Sequence, residues 1–242
     1  GVTFRVDAGK VDGLSFGHLE RCLIMGRILR DIGSECRYVM RSIPGGPERA
    51  ESSGYEVVRL DAELSPSAEW EVLERLVLDS DSSCLVVDLP YHDMDFPRIS
   101  RINREVSPVL YLDDARFEMP DVHAYLNSSI LASEMLGNNG KNRTRLFLGP
   151  QWLILDEGFW KHNKSAVIND GSIVLTFGGS DPTGLLPKVM RELSSENLNG
   201  TRIKCILGPG YGETPSGMTG SNKKVFDIIR SPRDLIAILA NC

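Results

Sequence analysis

The amino-acid sequence predicts an α/β protein made of two Rossmann-like domains, each built on a doubly wound parallel sheet. Strand-like and helix-like segments alternate along the chain, which is the order that a parallel sheet with crossover helices requires. Apolar runs such as residues 84–87 lack polar alternation, as is typical of strands that are buried on both faces. Both halves of the chain also open with a strand, a glycine-containing loop and a helix.

The elements of the first half follow from local patterns. Residues 2–6 are a short apolar run that is suited to a buried strand. A helix is predicted next, because Leu19, Leu23, Gly26 and Leu29 recur at helical spacing and Gly33 follows as a C-cap. Later strands are predicted at residues 35–40, 55–60, 84–87, 109–112 and 124–126, with helices at residues 48–53, from residue 65, and at residues 96–104.

The alternation is interrupted between residues 135 and 170, where turn-forming residues are frequent. We therefore predict a first domain over residues 1–160, a linker over residues 161–170 and a second domain over residues 171–242. The second domain has predicted strands at residues 173–177, 202–207 and 224–228, and a final helix from residue 231. Because a dinucleotide-binding domain normally has about six strands, we expect the second domain to be truncated in this chain.

Composition and charge limit the class of function. The 242-residue chain has 25% charged and 41% hydrophobic residues, as in ordinary soluble globular proteins. A net charge of −6 argues against a general nucleic-acid-binding protein, which would carry a basic face. No segment has the apolar length of a membrane span, no signal peptide precedes the first strand, and the five cysteines form no CxxC pair. We therefore expect a cytoplasmic protein with no cofactor, metal, nucleic-acid partner or membrane span.

The most informative stretch, residues 5–22, places His18 at or near the first turn of the first helix. The free N–H groups and positive dipole at a helix N-terminus favour a nearby anion and disfavour protonation of an imidazole. We therefore expect His18 to be neutral near pH 7 and able to accept a proton. A capping or core histidine that satisfies the loop backbone is the alternative interpretation.

Five motifs follow one another along the chain. They are Arg5-x-Asp7 with Gly17-His18-x-x-Arg21-Cys22, Tyr111-Leu112-Asp113-Asp114, Tyr125-Leu126-Asn127, Phe147-Leu148-Gly149-Pro150 and Phe177-Gly178-Gly179-Ser180-Asp181-Pro182. The series resembles the family of UDP-sugar hydrolases of pseudaminic acid biosynthesis and their spore-coat polysaccharide relatives. These proteins are similar in architecture to the peptidoglycan N-acetylglucosaminyltransferase, so the resemblance implies two domains of GT-B type. In this family, a glycine pair and a glutamate that contacts the uridine ribose would come after Cys242.

The resemblance implies hydrolysis of a UDP-linked deoxy-amino sugar to UDP and free sugar, in surface-polysaccharide or nonulosonic acid biosynthesis. Water attacks the anomeric carbon, and His18 is the catalytic base that activates it. UDP is a good leaving group, which needs electrostatic stabilisation more than a strong acid. The residues expected to bind the UDP-sugar are Arg5, Asp7, Gly17, Arg21, Asp88, Tyr91, Asp114, Gly178, Gly179, Ser180 and Asp181.

Several of these residues have a second interpretation. Asp88 and Tyr91 follow a buried strand and are either sugar contacts or parts of a structural turn. Asp113 and Asp114 point to opposite faces if they continue the strand. We expect one of them to pair internally and Asp114 to support the site indirectly, without a metal. The glycine loop of the second domain either holds the diphosphate against helix N–H groups or is a tight turn with Ser180 or Asp181 as N-cap.

Two further functions are consistent with the sequence. A GT-B glycosyltransferase would use the same UDP-sugar but move the sugar to an acceptor instead of water. A non-catalytic module that binds a sugar nucleotide would need the glycine loops but no base. The motifs do not separate hydrolase from transferase, because a buried water site and an acceptor groove differ in shape.

Overall fold

The structure, a computed structural model, describes residues 1–11, 14–80, 82–90, 94–114, 117–136, 143–161, 169–181, 183–196, 200–212, 226–232 and 235–242. The chain divides into two compact units. The first contains Gly1–Ala8 and His18–Leu155, and the second contains Gly9–Gly17 and Asp156–Cys242. Most of the predicted linker, residues 162–168, lies outside the described residues, so the domain limits drawn from the sequence stay a prediction.

The chain up to residue 155 alternates strands and helices. The elements are β1 (Val2–Val6), α1 (Gly17–Asp31), β2 (Cys36–Arg41), α2 (Gly46–Ser52), β3 (Glu56–Leu60), α3 (Pro66–Leu78), β4 (Cys84–Asp88), α4 (Phe96–Glu105), β5 (Val109–Leu112), β6 (Ala124–Asn127), α5 (Ala132–Leu136) and β7 (Arg145–Leu148), followed by a 3-10 turn, Pro150–Trp152. Helices α3 and α4 begin as the sequence indicates, with Pro in the first turn and the side chains of Ser65 and Asp95 accepting the capping bonds.

The strands of the first unit form a seven-stranded sheet in the order β3-β2-β1-β4-β5-β6-β7, with neighbouring strands parallel. The connections run outward from β1 through β2 to β3, and then return to β4 on the other side of β1. The direction of strand order therefore reverses between β1 and β4. In open α/β sheets, ligands bind beyond the carboxyl ends of the strands at such a reversal.

The core of the first unit explains the apolar runs of the sequence. Leu85, Val86 and Val87 of β4 are all buried, because helices cover the central strands of the sheet on both faces. Val39 of β2 and Tyr111 of β5 belong to the same hydrophobic cluster. The predicted α/β fold with a doubly wound parallel sheet is confirmed for this unit.

The second unit contains a smaller parallel sheet. Its elements are α6 (Gly158–Lys161), β8 (Ile173–Thr176), α7 (Leu185–Ser195), β9 (Ile203–Leu207), β10 (Phe226–Arg230) and α8 (Leu235–Ala240), and the strand order is β10-β9-β8. Leu186 and Met190 of α7 pack on Ile203, Cys205 and Leu207 of β9. The parallel strands and the helix that connects β8 to β9 agree with the Rossmann-like prediction.

Several features of the fold were not predicted, and two of them concern the sheet and the course of the chain. Strand β7 adds a seventh strand to the first sheet, but its short apolar run follows a turn-rich segment that was interpreted as a break in the pattern. Residues Gly9–Gly17 leave the first unit after β1 and belong to the second. Among the described residues, no helix combines the length and apolar character that crossing a bilayer requires.

Gly46, the first residue of α2, lies directly against the backbone of the loop that follows β1. It is buried, and a Cβ atom at this position would overlap the carbonyl oxygen of Ala8. Because backbone atoms cannot move aside as a flexible side chain can, we expect Gly46→Ala to lower the free energy of unfolding by about 1–3 kcal/mol. Urea denaturation measures this loss. Gly212→Ala, where a Cβ meets nothing within 4 Å, is the control, and equal losses in both variants would contradict the prediction.

Candidate active site

The candidate site lies where the strand order reverses, at the carboxyl ends of β1 and β4. His18 is the second residue of α1, the helix that follows β1. Asp88 is the last residue of β4 and pairs in register with Val6 at the end of β1. Two of the residues expected to form the site, separated by 70 positions, are thereby brought into direct contact.

His18 and Asp88 form a hydrogen-bonded pair. The Nδ1 atom of His18 lies 2.6 Å from Oδ1 of Asp88, whose side chain is fully buried, whereas the imidazole is 22% exposed. An unprotonated Nδ1 would direct its lone pair at a carboxylate oxygen, so the proton must lie on Nδ1, which donates to Asp88. In the neutral ring with this tautomer, Nε2 is the nitrogen that can accept a proton from another molecule.

Arg21 joins this pair one turn further along α1. Its Nε donates to Oδ2 of Asp88 at 2.5 Å, and its Nη2 donates to Oδ1 of the same carboxylate. Its Nη1 donates to Oδ1 of Asp114 at 2.6 Å, and Nη2 lies 3.1 Å from Nδ1 of His18. The guanidinium therefore bridges two carboxylates at the carboxyl ends of neighbouring strands, Asp88 at the end of β4 and Asp114 after β5.

The electrostatics keep the Asp88 carboxylate ionised. Burial alone would raise the pKa of Asp88, but hydrogen bonds and charge from Arg21, together with His18, hold it below its ordinary value. Burial alone would likewise lower the pKa of Arg21, but Asp88 and Asp114 hold it above the usual range. Burial, followed by the charge of Asp88, raises the pKa of the Cys22 thiol well above its usual range. Cys22 is thus a neutral thiol that contacts Oδ2 of Asp88 at 3.5 Å.

The structure changes the interpretation of Asp88. The sequence suggested a sugar contact or a structural turn, but the carboxylate has no exposed surface and both of its oxygens accept hydrogen bonds from α1. A buried carboxylate paired with a histidine orients the ring and stabilises the imidazolium that forms when the ring takes a proton. Tyr91, the other expected sugar contact, lies outside the described residues.

Arg5 and Asp7 were expected to bind substrate, and the structure instead buries both completely. The guanidinium of Arg5 makes two parallel hydrogen bonds of 2.7 Å to Asp7 and one of 2.9 Å to Glu69. Glu69 also accepts a 2.8 Å bond from Arg41, whose backbone N–H donates to Asp7. This network ties the ends of β1 and β2 to α3, so Arg5 and Asp7 are structural residues beneath the site.

Glu69 is the main residue of this network that the sequence did not single out. It precedes Trp70 in the predicted helix, where a glutamate would ordinarily be assigned to the solvent face, yet it is 3% exposed. An acidic side chain at a buried helical position needs cationic partners. The signal that would have found it is the presence of two arginines, Arg5 within the first predicted strand and Arg41 directly after the second.

Asp113 and Asp114 differ in burial, as expected for neighbouring residues whose side chains point to opposite faces. The Asp113 carboxylate is buried and accepts hydrogen bonds from the Tyr125 hydroxyl at 2.6 Å and the Phe117 backbone N–H at 2.9 Å. The Asp114 side chain is 47% exposed and pairs with Arg21. The expected internal pairing of one aspartate is confirmed, whereas substrate binding by Asp114, and by Gly17 at the start of α1, stays a prediction.

In the described ranges, no group of three or more acidic, histidine or cysteine side chains is arranged to hold a metal.

In the second unit, the glycine loop that follows β8 is shaped by close backbone packing. Gly178 has φ +75°, and a Cβ atom on Gly179 would overlap the side chain of Ser15. The carbonyl of Gly179 accepts a 2.9 Å bond from Gly210, which belongs to the loop after β9. The glycines are therefore required by the fold, and a role for Gly178, Gly179 and Ser180 in holding a diphosphate stays a prediction.

The side chain of Asp181 caps α7 from three residues before Gly184, which is the N-cap residue of that helix. Its Oδ1 and Oδ2 accept 2.9 Å bonds from the backbone N–H groups of Leu185 and Leu186 at the start of α7, and it is 7% exposed. The expectation that Asp181 binds substrate is corrected by this geometry, because both oxygens are used inside the unit. The same bonds occupy two of the N–H donors that a diphosphate at this helix would have used.

We expect Asp181→Asn to lower the free energy of unfolding of the second unit by about 1 kcal/mol, because an amide keeps one acceptor oxygen and loses the other. Asparagine tolerates the left-handed backbone of this residue, φ +46°, so the loss reports the cap. Thermal unfolding measures the change. Asp227→Asn, at an exposed position of β10, is the matched control. A stability equal to that of the parent chain would mean that the cap contributes nothing.

Comparisons with known proteins define the class of fold. The chain has the GT-B-type α/β fold, because it superimposes on two enzymes of that fold with TM-scores of 0.53 and 0.52. The first is MurG from Acinetobacter baumannii, at 11% identity, with 96% of this chain and 67% of that chain covered. The second is a UGT transferase from Siraitia grosvenorii in complex with UDP, at 11% identity, with 95% of this chain and 73% of that chain covered.

The sequence comparisons are less informative. No protein-family model matches the chain. An uncharacterized protein of Methanocaldococcus jannaschii is 25% identical over 210 residues, which cover 82% of this chain. The matched region spans 41% of that curated relative.

Proposed function

We propose that this chain belongs to an enzyme that transfers a sugar from a UDP-sugar to an acceptor hydroxyl, with His18 as the catalytic base. The observation that carries the proposal is the hydrogen-bonded pair of His18 and Asp88 at the carboxyl end of the first sheet. A histidine that is partly exposed, held by a buried carboxylate and located where the strand order reverses, is arranged as a general base.

The chemistry follows from this geometry. Nε2 of His18 takes the proton of the attacking hydroxyl as its oxygen bonds to the anomeric carbon, and the bond from that carbon to UDP breaks. The imidazolium that forms is stabilised by Asp88 through Nδ1–H. UDP departs with the bonding electron pair, and its diphosphate oxygens share the added negative charge, so no strong acid is needed. The sugar emerges with inverted configuration, because attack and departure occur on opposite faces.

The choice of UDP as the nucleotide is supported by the neighbouring structure that contains UDP, and by the glycine loop after β8 in the second unit. Backbone N–H groups next to glycines can approach phosphates closely. We therefore include UDP in the proposal as the nucleotide of the donor.

Hydrolysis is the second candidate. The ordered series of motifs from Arg5 to Asp181 resembles UDP-sugar hydrolases, and the same base would activate water. One structural neighbour is named as a transferase, and the other has the same type of fold. We therefore prefer transfer to hydrolysis, although the sequence favoured hydrolysis. A non-catalytic binding module would have no use for a histidine oriented by a buried carboxylate.

The test is phosphorus NMR of the full-length protein with UDP-N-acetylglucosamine and with a UDP-diacetamido-trideoxyhexose. Each is measured with and without a mixture of mono- and oligosaccharide acceptors. Release of UDP that requires the acceptors supports transfer, and release of UDP with free sugar in their absence supports hydrolysis. UMP with a sugar phosphate, or no binding of UDP by calorimetry, would overturn the proposal.

A further inference from the structure

We propose that Arg21 and Asp114 are positioning residues: they hold the Asp88 carboxylate so that the His18 ring keeps its proton on Nδ1 and presents Nε2. The use of Nε2 as a catalytic base rests on the function proposed above, whereas the position of the proton on Nδ1 does not depend on that function. The sequence assigned both residues to substrate binding, and the geometry points to a different task.

Arg21 keeps the buried Asp88 carboxylate in its charged form. The Asp88 side chain has no exposed surface, and a buried carboxylate without a cation would take up a proton or lose much stability. Arg21 contacts both of its oxygens through Nε and Nη2, in the two-pronged geometry that a guanidinium makes with a carboxylate. Asp88 therefore remains an acceptor of hydrogen bonds, which is the state that requires Nδ1 of His18 to be a donor.

Arg21 and Asp88 both lie within hydrogen-bonding distance of Nδ1 of His18. Nη2 of Arg21 lies 3.1 Å from Nδ1, so an unprotonated Nδ1 could accept a bond from Arg21. It would then face Oδ1 of Asp88 at 2.6 Å with no proton between them. Because Nη2 already donates to Oδ1, the arrangement with the fewest unsatisfied groups leaves the proton on Nδ1.

Asp114 holds the remaining nitrogen of the Arg21 guanidinium. Arg21 has one remaining nitrogen, Nη1, and this atom donates to Oδ1 of Asp114 at 2.6 Å. Asp114 follows β5, whereas Asp88 ends β4, so two strands hold the guanidinium from two directions. An ion pair with a partner that is 47% exposed contributes little stability. The Asp114 pair instead orients Arg21, because every nitrogen of the guanidinium then donates to a carboxylate. No pair of N–H donors on Arg21 is left to bind a phosphate.

The tautomer is tested directly by nitrogen NMR of chain labelled with ¹⁵N-histidine, without substrate. The chain has four histidines, and His18→Gln identifies the signals of His18. We expect the Nδ1–H tautomer in the parent chain, a mixture of tautomers in Asp114→Ala, and recovery in Asp114→Asn, whose amide oxygen still accepts from Arg21. A single Nδ1–H tautomer in Asp114→Ala would overturn the proposal whether or not the enzyme turns out to be a transferase.

Arg21→Lys is a second variant, since lysine keeps the charge and lacks the fork. Asp121→Ala is the matched control, because Asp121 pairs with Arg104 at the amino end of the same sheet and is expected to leave the His18 signals unchanged. In the full-length enzyme, Asp114→Ala and Arg21→Lys should lower kcat by about 10- to 100-fold with KM unchanged. A rise in KM at constant kcat would instead identify substrate-binding residues, and would also overturn the proposal.

Discussion

Replacing His18 with glutamine should lower kcat by about 10²- to 10⁴-fold while KM for the UDP-sugar stays near its original value. Glutamine fills a similar volume and keeps polar atoms at the start of α1, but it cannot accept a proton near neutral pH. The lost step is removal of the proton from the attacking hydroxyl, whichever molecule carries it. The prediction therefore holds for transfer and for hydrolysis alike.

The measurement is initial-rate kinetics of UDP release with the full-length protein. His123→Gln is the matched control, because His123 is exposed and precedes β6 at the amino end of the sheet, away from the carboxyl ends where His18 lies. We expect it to keep the original kcat. Retention of full activity in His18→Gln would remove the base from the mechanism, and a fall in both variants would indicate a general effect on folding.

Asp88→Asn should have a comparable effect on catalysis and an additional effect on stability. The asparagine amide can donate a hydrogen bond to Nδ1 of His18 and so favours the tautomer in which Nε2 carries the proton. In that tautomer Nε2 cannot act as a base. A fall in kcat on the order of 10³-fold is expected. The substitution also leaves the largely buried Arg21 without its main counter-charge, which costs about 3 kcal/mol of unfolding free energy.

The stability effect has a defined pH dependence. Because Arg21 and His18 hold the pKa of Asp88 below the ordinary 3.8, the folded chain keeps this carboxylate ionised where the unfolded chain would begin to protonate it. The contribution of Asp88 is therefore fully present above about pH 5 and declines as the pH falls below about 4.

Urea denaturation of the parent chain and of Asp88→Asn at several pH values tests both parts. The difference in unfolding free energy should shrink as the pH falls below about 4. Asp121→Asn, in a surface pair at the other end of the sheet, should show a small difference at every pH. A difference for Asp88→Asn that keeps growing below about pH 4 would mean that the carboxylate is protonated in the folded chain.

Much of the fold followed from local sequence patterns. The buried runs of β1, β4 and β5 and the proline-started helices α3 and α4 lie within a residue or two of their expected positions, because the backbone conformation there is determined by neighbouring residues. Strand β7 was missed for the converse reason. Its three apolar residues, Leu146 to Leu148, become a strand only by pairing with β6.

The candidate base was also visible in the sequence. His18 follows a strand and a glycine loop at the beginning of a helix, and Arg21, one turn later, must lie on the same face. Local spacing therefore placed both side chains in one region of the site without knowledge of any long-range contact.

The partners of these two residues were decided by the tertiary structure alone. Asp88 contacts His18 because β1 and β4 are neighbours in the sheet, and neither the strand order nor the register is encoded by any local pattern. The same holds for Arg5, whose buried network with Glu69 joins residues 64 positions apart. The sequence by itself thus determined the elements and the chemical groups, whereas the sheet topology decided which charges face one another, because ion pairing depends on distance in space and not on separation along the chain.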